Sequence, residues 1–210
     1  DNLYDTFAKL RARGLARAMA NTKQVKAANI YNNGFSGTIG DGAAFFSAAH
    51  PTISDGLQSN LLGAADLSEA TLETALTAIQ KTKDDRGILV GASAISLHIP
   101  VDYWAVADRV LSSPGNTQTS SASANPNNNA INATRHMGMV PEGFFINRRF
   151  TDTDAWFVKT DVPNGTKMFV RSPLQTKMEP DFDTGNLRFK ARERYSFGVS
   201  DWRGWYGSAG

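Results

Sequence analysis

The chain has 210 residues, a formal net charge of +2 and no cysteine. That length suits one large domain or two joined lobes, and should bury roughly 70% of the unfolded surface without covalent staples. Lack of cysteine excludes disulfides and thiolate metal sites. The small charge is no nucleic-acid signature, and no apolar run approaches the roughly 20 residues of a membrane span. The sequence opens at Asp1 with neither an initiator methionine nor a signal peptide, so a processed or truncated product is expected.

The first segment, NLYDTFAKLRARGLARAMANTKQVKAANIY, predicts a long amphipathic helix. Leu3, Phe7, Leu10 and Ala18 recur at helical spacing, with Leu15 and Met19 beside them. Its other face carries Lys9, Arg11, Arg13, Arg17, Lys23 and Lys26, which are either solvated or set against an acidic neighbour or enclosed nucleic acid. Asp1 and Asp5 suit the positive end of the helix dipole. Residues 32–64, rich in Gly, Asn and Ser around AAFFSAAHP, read as irregular chain with short strands. DLSEATLETALTAIQKTKDDRG predicts a helix capped by Ser68, with Leu72, Leu76 and Ile79 as its stripe and Gly87 ending the unit. ILVGASAISLHIP reads as strands, and VDYWAVADRVLSS as a second helix. Residues 112–134, SSPGNTQTSSASANPNNNAINAT, hold almost nothing that packs, and predict a flexible surface loop over 113–134. Short strands follow in GFFINRRF, AWFVKT and KMFVRSP, with Asn164-Gly165 as a hairpin signal.

The triplet Asp183-Thr184-Gly185 follows Phe182, as in aspartic proteases. Such an enzyme needs two aspartates sharing a proton, and an apolar strand ending in glycine after the triplet. Here 25 residues follow Gly185, beginning with strict alternation. Leu187, Phe189, Ala191, Tyr195, Phe197 and Val199 share one face, and Arg188, Lys190, Arg192 and Arg194 the other. LQTKMEP is the expected partner strand, so the triplet is read as a hairpin turn. Four cations at alternate positions repel one another, and carboxylates are expected opposite them. His50, His98 and His136 share no metal-ligand spacing, and Asp152 and Asp154 are read as a surface turn. No catalytic, cofactor or metal residue is assigned.

The order of segments resembles the major head subunit of tailed bacteriophages, on the branch similar to the Mu-type major head protein. The likeness rests on FFSAAHP, on the AWF strand and on the terminal RERYSFGVSDWRGWYGS run, and spans nearly the whole chain. It implies an α+β, HK97-like coat fold with a long spine helix, a hairpin sheet in a peripheral domain and a mixed α/β axial domain. Residues 1–60 and 172–199 are expected in the peripheral domain, and 61–171 with 200–210 in the axial domain. The implied role is a non-enzymatic, self-assembling icosahedral shell of hexamers and pentamers around phage DNA. Scaffold, portal and decoration proteins are the implied partners. The place is the virion, reached by assembly in the host cytoplasm, with no membrane involved. The alternative on the same fold is an encapsulin-like bacterial nanocompartment shell. A DTG-type aspartic hydrolase and a nucleic-acid-binding β protein are rivals of other classes, the second lacking aromatics on its basic face. Inter-subunit contacts are expected at Arg188, Lys190, Arg192, Arg194, Trp202, Arg203 and Trp205. Glu193 interrupts the apolar face; some relatives use such a carboxylate in Lys–Asn crosslinking, but an ion pair with an arginine of a neighbouring strand is expected here.

Overall fold

The structure, a computed structural model, describes residues 2–115 and 131–210, with side chains from residue 9 onward. In chain order the elements are α1 (Asn2–Asn32), β1 (His50–Pro51), β2 (Leu57–Gln58), α2 (Glu69–Gln80), β3 (Ala94–Ile99), α3 (Trp104–Ser112), α4 (Ala133–His136), β4 (Phe144–Ile146), β5 (Trp156–Thr160), β6 (Thr166–Pro180), β7 (Leu187–Val199) and β8 (Trp205–Ser208). Mixed helix and sheet of this kind is an α+β arrangement.

The body is built on a four-stranded sheet of order β4-β3-β5-β8, in which β4 runs parallel to β3 and the other pairs are antiparallel. Every residue of β5 except Lys159 is buried, because the strand is central and covered on both faces. Helix α2 begins where Ser68 Oγ accepts from the Thr71 N–H and the Thr71 hydroxyl accepts from the Ser68 N–H, a reciprocal cap. Its stripe of Leu72, Ala75, Leu76 and Ile79 packs with Ala107 and Val110 of α3 against Leu97, Ile99, Trp156 and Val158. A second core joins Phe45, Phe46, Phe157, Trp202 and Trp205 to Tyr31 at the end of α1. There Gly207 is needed for close approach: a Cβ on it would lie 2.8 Å from the Phe46 ring.

Three expectations change. The strands expected across ILVGASAISLHIP reduce to Ala94–Ile99, and Ile88, Leu89 and Val90 stand exposed. Gly87 at φ 82° and Gly91 at φ 70° bracket those residues in left-handed backbone, which interrupts a strand at both ends. Asn164, at φ 67°, does turn the chain, but it links two separate sheets rather than closing a hairpin. Both edges of β5 are already taken by β3 and β8, so β6 finds its partner in β7. The segments KMFVRSP and LQTKMEP form one 15-residue strand, with register irregularities around Ser172. Pro173, which has no N–H to give the ladder, accounts for the break. Most of the expected 113–134 loop lies outside the described residues. Its ends are pinned by a bridge between Gly115 and Ile131 and by Asn132, whose side chain caps α4 and donates to the Val110 carbonyl.

Candidate functional site

Helix α1 and the β6–β7 hairpin form an arm. Alternation in β7 turns Ala191, Glu193, Tyr195 and Phe197 toward α1, where each is at least partly buried. Glu193 sits among them with a side chain 7% exposed and ion-paired to Lys23 of α1. The Lys23 ammonium also lies 5.4 Å from the centre of the Tyr195 ring. The expected arginine partner from a neighbouring strand is thus corrected to a lysine of the helix. The reason is packing, since the Glu193 face of β7 lies against α1. Farther out the contact opens into a groove of about 250 Å³ between Leu15, Ala16 and Met19 of α1 and Leu174, Met178 and Phe189 of the hairpin.

The outer face of β7 presents Arg188, Lys190, Arg192 and Arg194, all exposed. Their cross-strand partners are Glu179, Lys177, Gln175 and Ser172. The expected row of facing carboxylates is therefore corrected to one, Glu179, because the β6 register sets a lysine and two uncharged residues against the rest. Arg188 pairs with Asp181 instead. Among the described residues no ion pair involves Lys190, Arg192 or Arg194, so this face stays cationic.

Trp202, Arg203 and Trp205 are buried within the chain and tie its tail to the body. Asp201 caps the turn by accepting from the Arg203 N–H at 2.9 Å. The Arg203 guanidinium donates to the Lys83 carbonyl at 2.8 Å and to Asp85 Oδ1 at 2.6 Å, and stacks 4.3 Å from the Trp202 ring centre. On Trp202 lies His50, its ring 4.4 Å away and within 5° of parallel. His50, fully buried, sets Nδ1 2.6 Å from Asp41 Oδ2 and Nε2 2.9 Å from Asn60 Oδ1. Asn60 in turn donates to the carbonyls of Phe45, Trp202 and Trp205. Trp205 meets Tyr31 edge-on at 4.8 Å, joining the arm to this anchor. Sequence reasoning missed Asp41 and Asn60 and left His50 as an ordinary polar group. No periodic signal marks them, since their partners lie up to 145 residues away.

Asp183 lies in the hairpin turn, where the Gly185 N–H donates to the Asp181 carbonyl and Gly185 takes φ 64°. Asp152 and Asp154 lie in an exposed turn, where a hydrogen bond to Asp152, together with its like charge, raises the pKa of the Asp154 carboxyl. Burial and a hydrogen bond to Asp66 push Tyr103 up to about 12. Burial, aided by the Lys159 charge, holds His98 down to about 4. His136 ends the exposed turn of α4, far in sequence from both other histidines.

A family described as phage capsid protein matches residues 1–208, and the chain belongs to that family. No curated protein matches it. Among solved structures, the chain is similar to the capsid of an empty GTA particle computed with C5 symmetry, at 15% identity and a TM-score of 0.47. The likeness covers 94% of this chain, which spans 65% of the length of that one.

Proposed function

We propose that this chain is the structural subunit of a phage head shell, built on an HK97-like coat fold. Copies assemble as hexamers and pentamers around packaged DNA, in the host cytoplasm, with scaffold, portal and decoration proteins as further partners. Family membership over nearly the whole chain carries this reading. It favours the phage shell over the nanocompartment alternative. The physical support is an arm whose apolar and cationic surfaces are not used up by its own chain, as a self-assembling subunit requires. Residues 1–60 and 172–199 form the peripheral domain, and 61–171 with 200–210 the axial domain. Their boundary runs through the second aromatic core. Arg188, Lys190, Arg192 and Arg194 make the contacts between subunits, while Trp202, Arg203 and Trp205 brace the arm that presents them. The subunit does its work by shape and contact, without catalysis. Negative-stain electron microscopy of the purified protein at rising concentration tests this. Closed shells or capsomer rings are the expected images, and particles no larger than one subunit at every concentration would overturn the reading.

A further inference from the structure

The buried cluster of His50, Asp41 and Asn60 fixes hydrogens as well as heavy atoms. Asn60 Nδ2 faces the carbonyls of Phe45, Trp202 and Trp205 at 2.8, 3.2 and 3.0 Å. Its Oδ1 accepts from the Ser47 N–H at 2.9 Å. Rotating the amide would set its NH2 against that N–H and its oxygen against three carbonyls, so four backbone groups decide its orientation. His50 Nε2, 2.9 Å from the same Oδ1, must therefore donate. On the other side of the ring, Nδ1 lies 2.6 Å from Asp41 Oδ2, and Asp41 Oδ1 accepts from the Ala43 N–H at 3.0 Å. A carboxylate only accepts, so Nδ1 donates too. The proton between them belongs to the ring, since an imidazole is the stronger base of the two. A ring that donates from both nitrogens is an imidazolium. Without that second proton, two lone pairs would face each other at 2.6 Å beside a ring that has no exposed surface.

We propose that His50 and Asp41 form a buried imidazolium–carboxylate pair, and that this pair is a proton-operated latch on the C-terminal tail. The latch grips in two ways. The cationic ring lies flat on the Trp202 indole, 4.4 Å away. Its Nε2–H also steadies Asn60, which holds the Trp202 and Trp205 carbonyls. Among the described residues, Asp41 is the one charged group hydrogen-bonded to the ring. Arg203 of the tail also stacks on Trp202, 4.3 Å from its ring centre, but is itself paired to Asp85 and Asp201. From β2 the residue opposite His50 is Gln58, which is uncharged. His98 meets Trp205 edge-on at 4.8 Å, and burial holds it down to about 4, so it is neutral where the latch works. Opening the latch lets water reach His50, and a histidine in water gives up its proton above about pH 6.5. Above that pH the closed latch therefore holds one proton more than the open one. Each further pH unit favours opening about tenfold, until the closed form also loses its proton. Below it both forms are protonated, and the latch does not respond. The latch belongs to the single chain, whether or not copies assemble.

Two measurements on the full chain test this. In nitrogen-15 NMR spectra at neutral pH, both ring nitrogens of His50 should carry a bonded hydrogen, the signals being assigned by their loss in His50→Gln. A lone-pair shift at either nitrogen overturns the proposal. The second measurement follows tail opening by trypsin, which cuts after Arg203 only when that buried residue is released. Mass spectrometry reads the initial rate of release of the terminal peptide, normalised to a small substrate at each pH. The normalised rate should rise about tenfold per pH unit between about pH 7 and 9. In Asp41→Asn the side-chain NH2 donates to Nδ1 of a neutral ring, so the latch closes without the extra proton. Its normalised rate should stay flat over the same range. A flat rate in the unaltered protein, or an equal rise in Asp41→Asn, overturns the latch. Should Asp41→Asn fail to fold, the NMR spectrum of the unaltered protein decides by itself.

Discussion

Trp156, Phe157 and Val158 of β5 are buried to within 2% of full exclusion, whereas Phe169, Val170, Leu174 and Met178 of β6 are each more than half exposed. Both strands carry large apolar side chains, and both lie in hydrogen-bonded sheets. They differ in what covers them. Strand β5 has a neighbour on each edge, helices on one face and an aromatic core on the other. Strand β6 has one neighbour, and it meets α1 only across an open groove. A two-stranded ribbon is marginal in water unless something covers it. The body is thus a finished core, while the arm keeps apolar surface that the described residues leave open.

Breaking the body should cost the most. Trp156→Ala removes a buried indole whose N–H donates to the Ala65 carbonyl at 3.0 Å. Loss of about 4 kcal/mol is expected in urea melts of the subunit. Next comes the anchor, where Asn60→Ala takes one donor from each of the Phe45, Trp202 and Trp205 carbonyls and removes the partner of His50 Nε2. A loss of about 3 kcal/mol is expected, read in the same melts.

Acid should act on the body through His98. Its folded-state value, about 4, lies below the usual 6.5 of an unfolded histidine. Between those values the unfolded chain binds a proton that the folded chain refuses. Stability is therefore whole above about pH 6.5, falls as pH drops toward 4, and levels off below. The expected loss is about 3 kcal/mol, and it should vanish in His98→Gln. Melts at several pH values on both proteins check this; an unchanged slope in the variant would assign the loss to other groups. Smallest of all, Asp183→Asn should shift subunit stability by less than about 0.5 kcal/mol, since it keeps the turn propensity and removes only an exposed carboxylate.

The two regions also differ in how far they could be read from sequence. The Ser68 cap and the β7 alternation are local patterns and stand where they were expected, and α1 forms as a helix, but its expected stripe fails: Leu10 and Ala18 are exposed, and Lys23, expected on the basic outer face, packs on the hairpin because β7 supplies Glu193 there. The turn at Asp183-Thr184-Gly185 was legible for the same reason, as its residue types suit only a reversal between two periodic segments. What escaped is non-local. Nothing in WYGS says that it joins β5 as the outermost strand of the body sheet, nor in FFI that it runs parallel to β3. The choice between Asn164-Gly165 as a hairpin and as a link between sheets depended on β8, which arrives some forty residues later. The candidate contact residues divide likewise. Period placed the cations of β7 on one exposed face. The tail's aromatic residues could pack either inward or outward, and it was His50 and Asn60, distant in sequence, that drew Trp202 inward.

The contrast between finished body and unfinished arm is tested most directly by the double substitution Leu174→Ser and Phe189→Ser, on the two lips of the groove. Urea melts and sedimentation velocity are run on one sample. The subunit should lose no more than about 2 kcal/mol, because Leu174 is 52% and Phe189 39% exposed, while assembly into rings or shells is lost. A fall of more than about 2 kcal/mol in the isolated subunit would show that the groove is part of its own core, and shells that form as before would show that no partner uses it.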